Sequence, residues 1–406
     1  MSKSHDHFNE FEPHTRFKHR VLGSYFDAWP RILLLRRGAG NRVVYIDACA
    51  GRGADDAGNH GSPVLAARAA VDAAQQVGAM RDGPVNVQVI AIEKNARHFK
   101  ELQKNLSPYL GHARALRGML TEHLDAINAE FPDVPKLYFI DPFGLDPLDG
   151  ATVRRAFEGS RNEALVLFAD MAAIRHFGAA TSDGETRAER ALAGLSEMTS
   201  LFPEWDEESR RALEPKAETA AKAQRRGRAR SIEILDAVFE SHNWLAAIEP
   251  LSPAQRRDAF VDLYKQFLVG CGANYVLSFP VFDPSGQMKY RLVHASRSPR
   301  GHEEMKDAIA EAVKHGPLGE ESGRKIMAAM ACDLADVAAQ IVRHFAGQRV
   351  RWRKDDGNPS APFFKAFALQ ETRAMPWDME DVKKRLAGYR VPKTANTILF
   401  DFPAAT

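Results

Sequence analysis

Between Val43 and Asp170 one pattern recurs: a short β-branched or apolar run, a polar turn, then a helical stretch. The runs are Val43–Asp47, Val87–Glu93, Ala113–Arg117, Lys136–Asp141 and Ala164–Asp170. The helices between them begin at Ser62-Pro63, Asn95, Thr121 and Ala151, with Ser62 suited to an N-cap and Pro63 to the first helical position. Parallel strands need long crossovers, usually helical, so this alternation predicts an α/β, doubly wound parallel sheet. Ahead of it, Phe17, Val21, Leu22, Tyr25, Phe26 and Trp29 recur at helical spacing and predict a helix from Pro13 to about Leu35. Residues 1–12 read as disordered, and His5 and His7 as part of a mobile tail.

The alternation stops after Asp170. Residues 178–230 are charged, alanine-rich and without a strand signal, which predicts a helical insertion. A helix over 253–269 then leads to two strands, 274–282 and 287–294, joined by the Pro-Ser-Gly turn at 284–286. They predict an antiparallel hairpin at the edge of the sheet. After Arg300 the pattern is helical, ending in a short helix, Met379–Leu386, and a strand, Thr397–Phe402. This small C-terminal α/β module reads as winged-helix-like. The expected division is 1–177 for the first helix and Rossmann-like core, 178–250 for the insertion, 251–300 for completion of the core, and 301–406 for the C-terminal module.

Composition narrows the function classes. The chain has 406 residues, 45% of them hydrophobic and 27% charged, with a net charge of +2. That is enough chain for more than one domain, and nucleic-acid contacts would have to come from local basic patches. No apolar run is long enough to span a bilayer and the polar N-terminus lacks a signal-peptide core, so no membrane partner and a cytoplasmic location are expected. Cys49, Cys271 and Cys332 have neither disulfide-framework nor zinc spacing, and no metal site is expected.

The first strand carries the most specific chemistry. Asp47 closes it, and Ala48-Cys-Ala-Gly51-Arg-Gly53 follows. Glycines at such a strand end let the main chain turn tightly and approach a nucleoside. The G-x-G-x-x-G spacing of pyrophosphate binders is absent; an acid followed by Gly51 and Gly53 suits S-adenosylmethionine (SAM), which has no pyrophosphate. Glu93, at the end of the second strand, can accept from both ribose hydroxyls. Its separation from Gly53 is about twice the usual ~20 residues, an excess that loops at 54–61 and 79–84 can absorb. The fourth strand ends in Asp141-Pro142-Phe143-Gly144 at the edge where substrate meets cofactor. There Asp141 and the Pro142 carbonyl can accept from an amine, and Phe143 can stack on a base. Lys18 or His14 can reach a carboxylate of the cofactor. Two basic runs suit phosphate contacts: Arg225, Arg226, Arg228 and Arg230; and Arg351, Trp352 and Arg353, where Trp352 can stack on a base.

Together these segments resemble the three-Cys-motif partner proteins. The matching segments are His14-Thr15-x-x-Lys18-His19, Tyr45-Ile-Asp-Ala-Cys-Ala-Gly51, Gly61-Ser62-Pro63, Ile140-Asp-Pro-Phe-Gly144, Ala169-Asp170-Met171 and Arg297-Ser-Pro299-Arg-Gly301. The resemblance implies a class I methyltransferase fold and a radical-SAM-like three-Cys-motif protein as partner. A shorter likeness, to N6-adenine methyltransferases of ribosomal RNA, rests on Lys18-His19 ahead of the first strand and on the Asp47-to-Gly53 turn. It implies Lys18 as the residue binding the SAM carboxylate. Their Asp-Pro-Pro-Tyr signature stands here as Asp141-Pro142-Phe143-Gly144, and Gly118-Met119 stands where they often carry an acid that receives the adenine amine, so by this likeness Met119 packs on the ring instead. The leading expectation is a SAM-dependent methyltransferase, a transferase acting on an amino nitrogen, with a nucleic-acid base as one acceptor. The alternative is a non-catalytic partner or nucleic-acid adaptor built on the same fold.

Overall fold

The structure, a computed structural model, describes residues 11–36, 40–81, 83–142, 144–145, 148–181, 207–353, 363–391 and 399–404, with only the backbone of 207–221 and 224. Residues 1–10, including His5 and His7, lie outside it, as does Phe143. Contacts divide the chain into two units, Met1–Asp141 with Arg154–Phe168 and Leu268–Thr406, and Pro142–Val153 with Ala169–Phe267.

The first unit is built on α1 (Pro13–Leu35), β1 (Arg42–Asp47), α2 (Ser62–Arg81), β2 (Asn86–Glu93), α3 (Ala96–Leu106), β3 (Ala113–Arg117), α4 (Leu120–Glu130), β4 (Lys136–Ile140), β5 (Glu163–Phe168), β6 (Tyr275–Phe282) and β7 (Met288–Ser296). These strands form one sheet in the order β3-β2-β1-β4-β5-β7-β6. β1 to β5 pair in parallel, and β7 runs antiparallel to both β5 and β6. This is a doubly wound, Rossmann-like order, with the antiparallel hairpin edge the sequence predicts. The interior strand β1 is covered on both faces: Val43, Val44, Tyr45 and Ile46 are all buried, which is why it reads as a continuous apolar run rather than an alternating one. Asn95 caps α3 by accepting from the N–H groups of Arg97 and His98 at 2.9 and 3.1 Å.

A helical extension completes this unit: α10 (Pro299–His315), α11 (Gly319–Ala329), α12 (Leu334–His344), β8 (Arg349–Arg351), α13 (Phe364–Glu371), α14 (Met379–Arg385) and β9 (Leu399–Asp401). β8 and β9 pair antiparallel, and Val337, Ile341, Val350, Trp352, Phe364, Val382 and Phe400 share one apolar cluster. The buried Lys306 of α10 ties the module down. Its ammonium donates to the carbonyls of Leu369, Thr372 and Ala374 at 2.7, 2.8 and 2.9 Å, satisfying acceptors at the end of α13. Lys306→Met strands these buried acceptors and is expected to cost about 3 kcal/mol. Urea unfolding checks this; a loss below about 1 kcal/mol would contradict it.

The second unit contains α6 (Asp170–Thr181), α7 (Glu207–Phe239) and α8 (Trp244–Ile248), and most of α9 (Pro253–Gly270). Phe177 sits edge-on to Trp244 and Phe260, and Phe239 stacks on Phe260. Fully buried Asp170 accepts from the Arg257 guanidinium at 2.6 and 3.0 Å. α5 (Gly150–Ala156) begins in this unit and ends in the first.

Candidate functional site

The carboxyl ends of β1, β2 and β4 carry a connected group of polar residues, all in the first unit. The chain leaves β1 through a turn that keeps bonding to both neighbouring strands: the Ala48 N–H donates to Phe139 and the Ala50 N–H to Ile92, each at 2.9 Å. Gly51 and Gly53 then take φ of +61° and +80°, values that an L side chain would make strained. The Gly61 N–H donates to the Gly53 carbonyl at 2.8 Å, which closes the loop on itself just ahead of α2.

Glu93 locks this turn from the next strand. One carboxylate oxygen accepts from the Gly51 N–H at 2.9 Å and the other from the Asn95 N–H at 2.6 Å. A carboxylate has about four acceptor positions, so capacity is left for two hydroxyls. The Gly118 N–H donates to the Glu93 carbonyl at 3.2 Å, which brings the turn after β3 alongside; Met119, next in the chain, is exposed.

Asp47 is fully buried. Its carboxylate accepts from the Tyr45 hydroxyl and the Cys49 N–H, both at 3.3 Å, and from the Ser62 hydroxyl. Ser62, expected as an N-cap, is thus the first residue of α2 and turns its hydroxyl to Asp47. Burial pushes the Asp47 pKa up to about 7; the Ser62 hydrogen bond opposes this and the nearby Asp141 charge adds to it. The Cys49 thiol is held protonated first by burial, then by the carboxylates of Asp141, Asp47 and Glu93 around it.

The Asp47 shift has a measurable consequence. The folded chain keeps this proton up to about pH 7, whereas the unfolded chain loses it near 3.8. The folded state therefore binds more protons between those values, and this group's contribution to stability falls as pH rises through that window. Asp47→Asn removes the effect, so the stability of the variant relative to wild type should rise between pH 5 and 7.5. Denaturant midpoints at the two pH values check this; a relative stability that stays level or falls contradicts it.

Asp141, just past β4, accepts from the Lys18 ammonium in a short ion pair between residues that are largely buried. Lys18 lies in the second turn of α1, and its ammonium also stands over the Phe139 ring at 6.0 Å. His14 and His19 flank it. Burial lowers the pKa of both, that of His19 to about 3, with the Lys18 charge adding to the shift. The structure thus brings Lys18, Asp47, Ala48, Gly51, Gly53, Glu93 and Asp141 to one sheet edge. Pro142 is buried and begins the second unit. A cavity of about 1000 Å³ lined by residues such as Ser24, Glu304 and Trp377 shares none of these residues.

Sequence reasoning misses two neighbours of the group. Tyr290, buried on β7, donates its hydroxyl to the His14 carbonyl at 3.0 Å. Asp55 accepts from the Phe11 N–H at 2.9 Å. Both contacts end on backbone groups, and neither residue belongs to a recognisable motif.

The basic runs divide. Arg225, Arg226, Arg228 and Arg230 are all exposed on α7. The run at 351–353 is a correction. Arg351 and Trp352 are buried, and Trp352 packs edge-on against Phe364 at 4.8 Å within the core of the C-terminal module, with the Lys383 ammonium over its ring at 5.3 Å. Trp352 therefore has no face free to stack on a base; Arg353 is exposed. Among the described residues no cluster of three or more His, Cys, Asp or Glu side chains is placed to hold a metal, and no helix is long and apolar enough to cross a membrane.

No family model matches the chain, and no curated protein does. Solved structures do match. An O-methyltransferase from Bacillus cereus, in complex with S-adenosylhomocysteine (SAH), is 10% identical, covers 68% of this chain and 80% of its own, and has a TM-score of 0.32. A protein from Legionella pneumophila is 10% identical, with coverage of 76% and 94% and a TM-score of 0.35. A geranyl diphosphate C-methyltransferase from Streptomyces coelicolor is 13% identical, with coverage of 67% and 79% and a TM-score of 0.22.

Proposed function

We propose that the chain is a SAM-dependent methyltransferase acting on an amino nitrogen. The observation that carries this reading is the set of ionisable groups on the sheet edge: a largely buried Lys18–Asp141 pair beside the buried Asp47, next to a glycine turn that Glu93 holds from the following strand. The donor set fits the cofactor end to end. Glu93 would accept from the ribose hydroxyls, the turn through Gly51 and Gly53 would face the adenosyl group with Met119 against the adenine, Asp47 would face the cationic end, and Lys18 would pair with the methionyl carboxylate. SAM supplies an electrophilic methyl group on a sulfonium centre.

Asp141 supports an amine as the acceptor. Its carboxylate is fixed in place by the Lys18 ammonium. An amine needs only to be oriented and to have its developing positive charge stabilised, which a fixed carboxylate does. The acceptor should therefore carry an N–H that Asp141 can take, as an exocyclic amine of a nucleobase does. Arg226 and Arg228, exposed on α7, favour a nucleic-acid acceptor, because exposed guanidinium groups can contact phosphates without base selectivity.

A second reading treats the fold as a non-turnover partner, in line with the resemblance to three-Cys-motif partner proteins and their radical-SAM-like partner. The feature favouring it is Gly144 in place of the tyrosine of the Asp-Pro-Pro-Tyr signature. One experiment separates the two: incubation with methyl-labelled SAM and separate fractions of cellular DNA, RNA and protein. The methyltransferase reading expects label in one fraction; label in none, from a folded protein that binds SAM, favours the partner reading.

A further inference from the structure

The first turn of α1 lies directly beneath Lys18, and the Glu12 carbonyl closes it by accepting from the Thr15 and Arg16 N–H groups at 2.9 and 3.0 Å. Its N-cap, Glu12, makes no side-chain cap hydrogen bond. Tertiary contacts reach it from both sides, one at the turn itself and one at Phe11, just ahead of the N-cap. From β7, the Tyr290 hydroxyl donates to the His14 carbonyl at 3.0 Å, and the two rings meet edge-on at 6.0 Å. From the loop after β1, Asp55 accepts from the Phe11 N–H at 2.9 Å. Asp55 is itself fixed, because it also accepts from the Asn59 N–H and side-chain amide, each at 2.7 Å.

The placement of these anchors matters for Lys18. In an α-helix the carbonyl of residue 14 faces the N–H of residue 18, and the two side chains share a face. The Tyr290 hydroxyl therefore grips the carbonyl one turn below Lys18. Burial, with the Asp141 charge nearby, keeps that hydroxyl protonated and so a donor. The lysine stem is long and flexible, so its ammonium stays on target only if the backbone turn beneath it stays still.

We propose that Tyr290 and Asp55 are positioning residues for Lys18. They clamp the entry and first turn of α1 between the glycine loop and the edge hairpin, and so set the carboxylate-recognising end of the cofactor site. This rests on the cofactor reading given above and adds two residues that touch neither cofactor nor substrate.

The test uses two ligands that differ only at the end in question. SAH carries the amino-acid carboxylate; 5′-methylthioadenosine keeps the nucleoside and lacks it. Calorimetric affinities are measured for both, with wild type, Tyr290→Phe and Asp55→Asn, in samples whose unfolding midpoints show them to be folded. Loss of one fixing hydrogen bond should weaken SAH binding by about 10-fold in Tyr290→Phe and leave methylthioadenosine within about twofold. Asp55→Asn should shift the same ligand selectively by a smaller factor. Equal weakening of both ligands, or no weakening of SAH, overturns the positioning role while leaving the cofactor reading in place. A wild-type protein that binds neither ligand overturns the cofactor reading and the positioning role with it.

Discussion

Asp141→Asn is expected to lower methyl transfer by about 10³-fold while changing SAM affinity by less than about threefold. The substitution keeps shape and removes charge. In the proposed site Asp141 holds the attacking nitrogen and stabilises the positive charge that develops on it, an interaction strongest in the transition state, so its loss should fall on turnover. Lys18 loses its partner in this variant, but the methionyl carboxylate can take that place, which protects affinity. Single-turnover assays with labelled SAM, paired with calorimetry, separate the two effects. Unchanged turnover would remove Asp141 from the chemistry. Loss of SAM binding equal to the loss of rate would make it a structural residue of the cofactor pocket.

The second large effect concerns the same pair from its other side. Lys18→Met leaves a largely buried carboxylate without its countercharge, and breaking a buried pair in this way costs about 3–5 kcal/mol. Much of that cost is the stranded charge rather than the lost attraction. The double variant Lys18→Met with Asp141→Leu should therefore recover most of the stability, although the site is destroyed. Denaturant unfolding of the two single variants and the double variant gives the cycle. A loss below about 1 kcal/mol in Lys18→Met, or a double variant no more stable than the single, would show the pair to be solvated and loosely held.

Part of the fold is legible in the amino-acid sequence. The β1 run Val43–Asp47 and the helix Pro13–Leu35 follow from apolar periodicity, and their bounds fall close to the expected ones because both are strongly patterned and buried. The crossover rule orders parallel strands well, yet nothing in the hairpin's own pattern says that β7, rather than β6, lies against β5. The site divides in the same way. Acids and glycines at strand ends carry a local signal, which is why Asp47, Gly51, Glu93 and Asp141 stand out. Lys18 and Asp141 stand out one by one, but their pairing joins residues 123 positions apart, and the His14 contact, 276 positions away, comes from Tyr290, which has no motif around it. Charge runs mislead at Arg351 and Trp352. The sequence pattern there is that of a basic surface, but β8 lies in the core of its module and draws Trp352 into the apolar cluster.

The central claim is that an adenosyl ligand seats on the turn after β1, held by Glu93. Calorimetric titration of SAH into the wild-type protein and a Glu93→Ala variant tests it most directly. Saturable one-to-one binding to wild type is expected, weakened by about 10-fold or more in the variant. Absence of both heat and thermal stabilisation with millimolar ligand, in a sample shown to be folded, would contradict it.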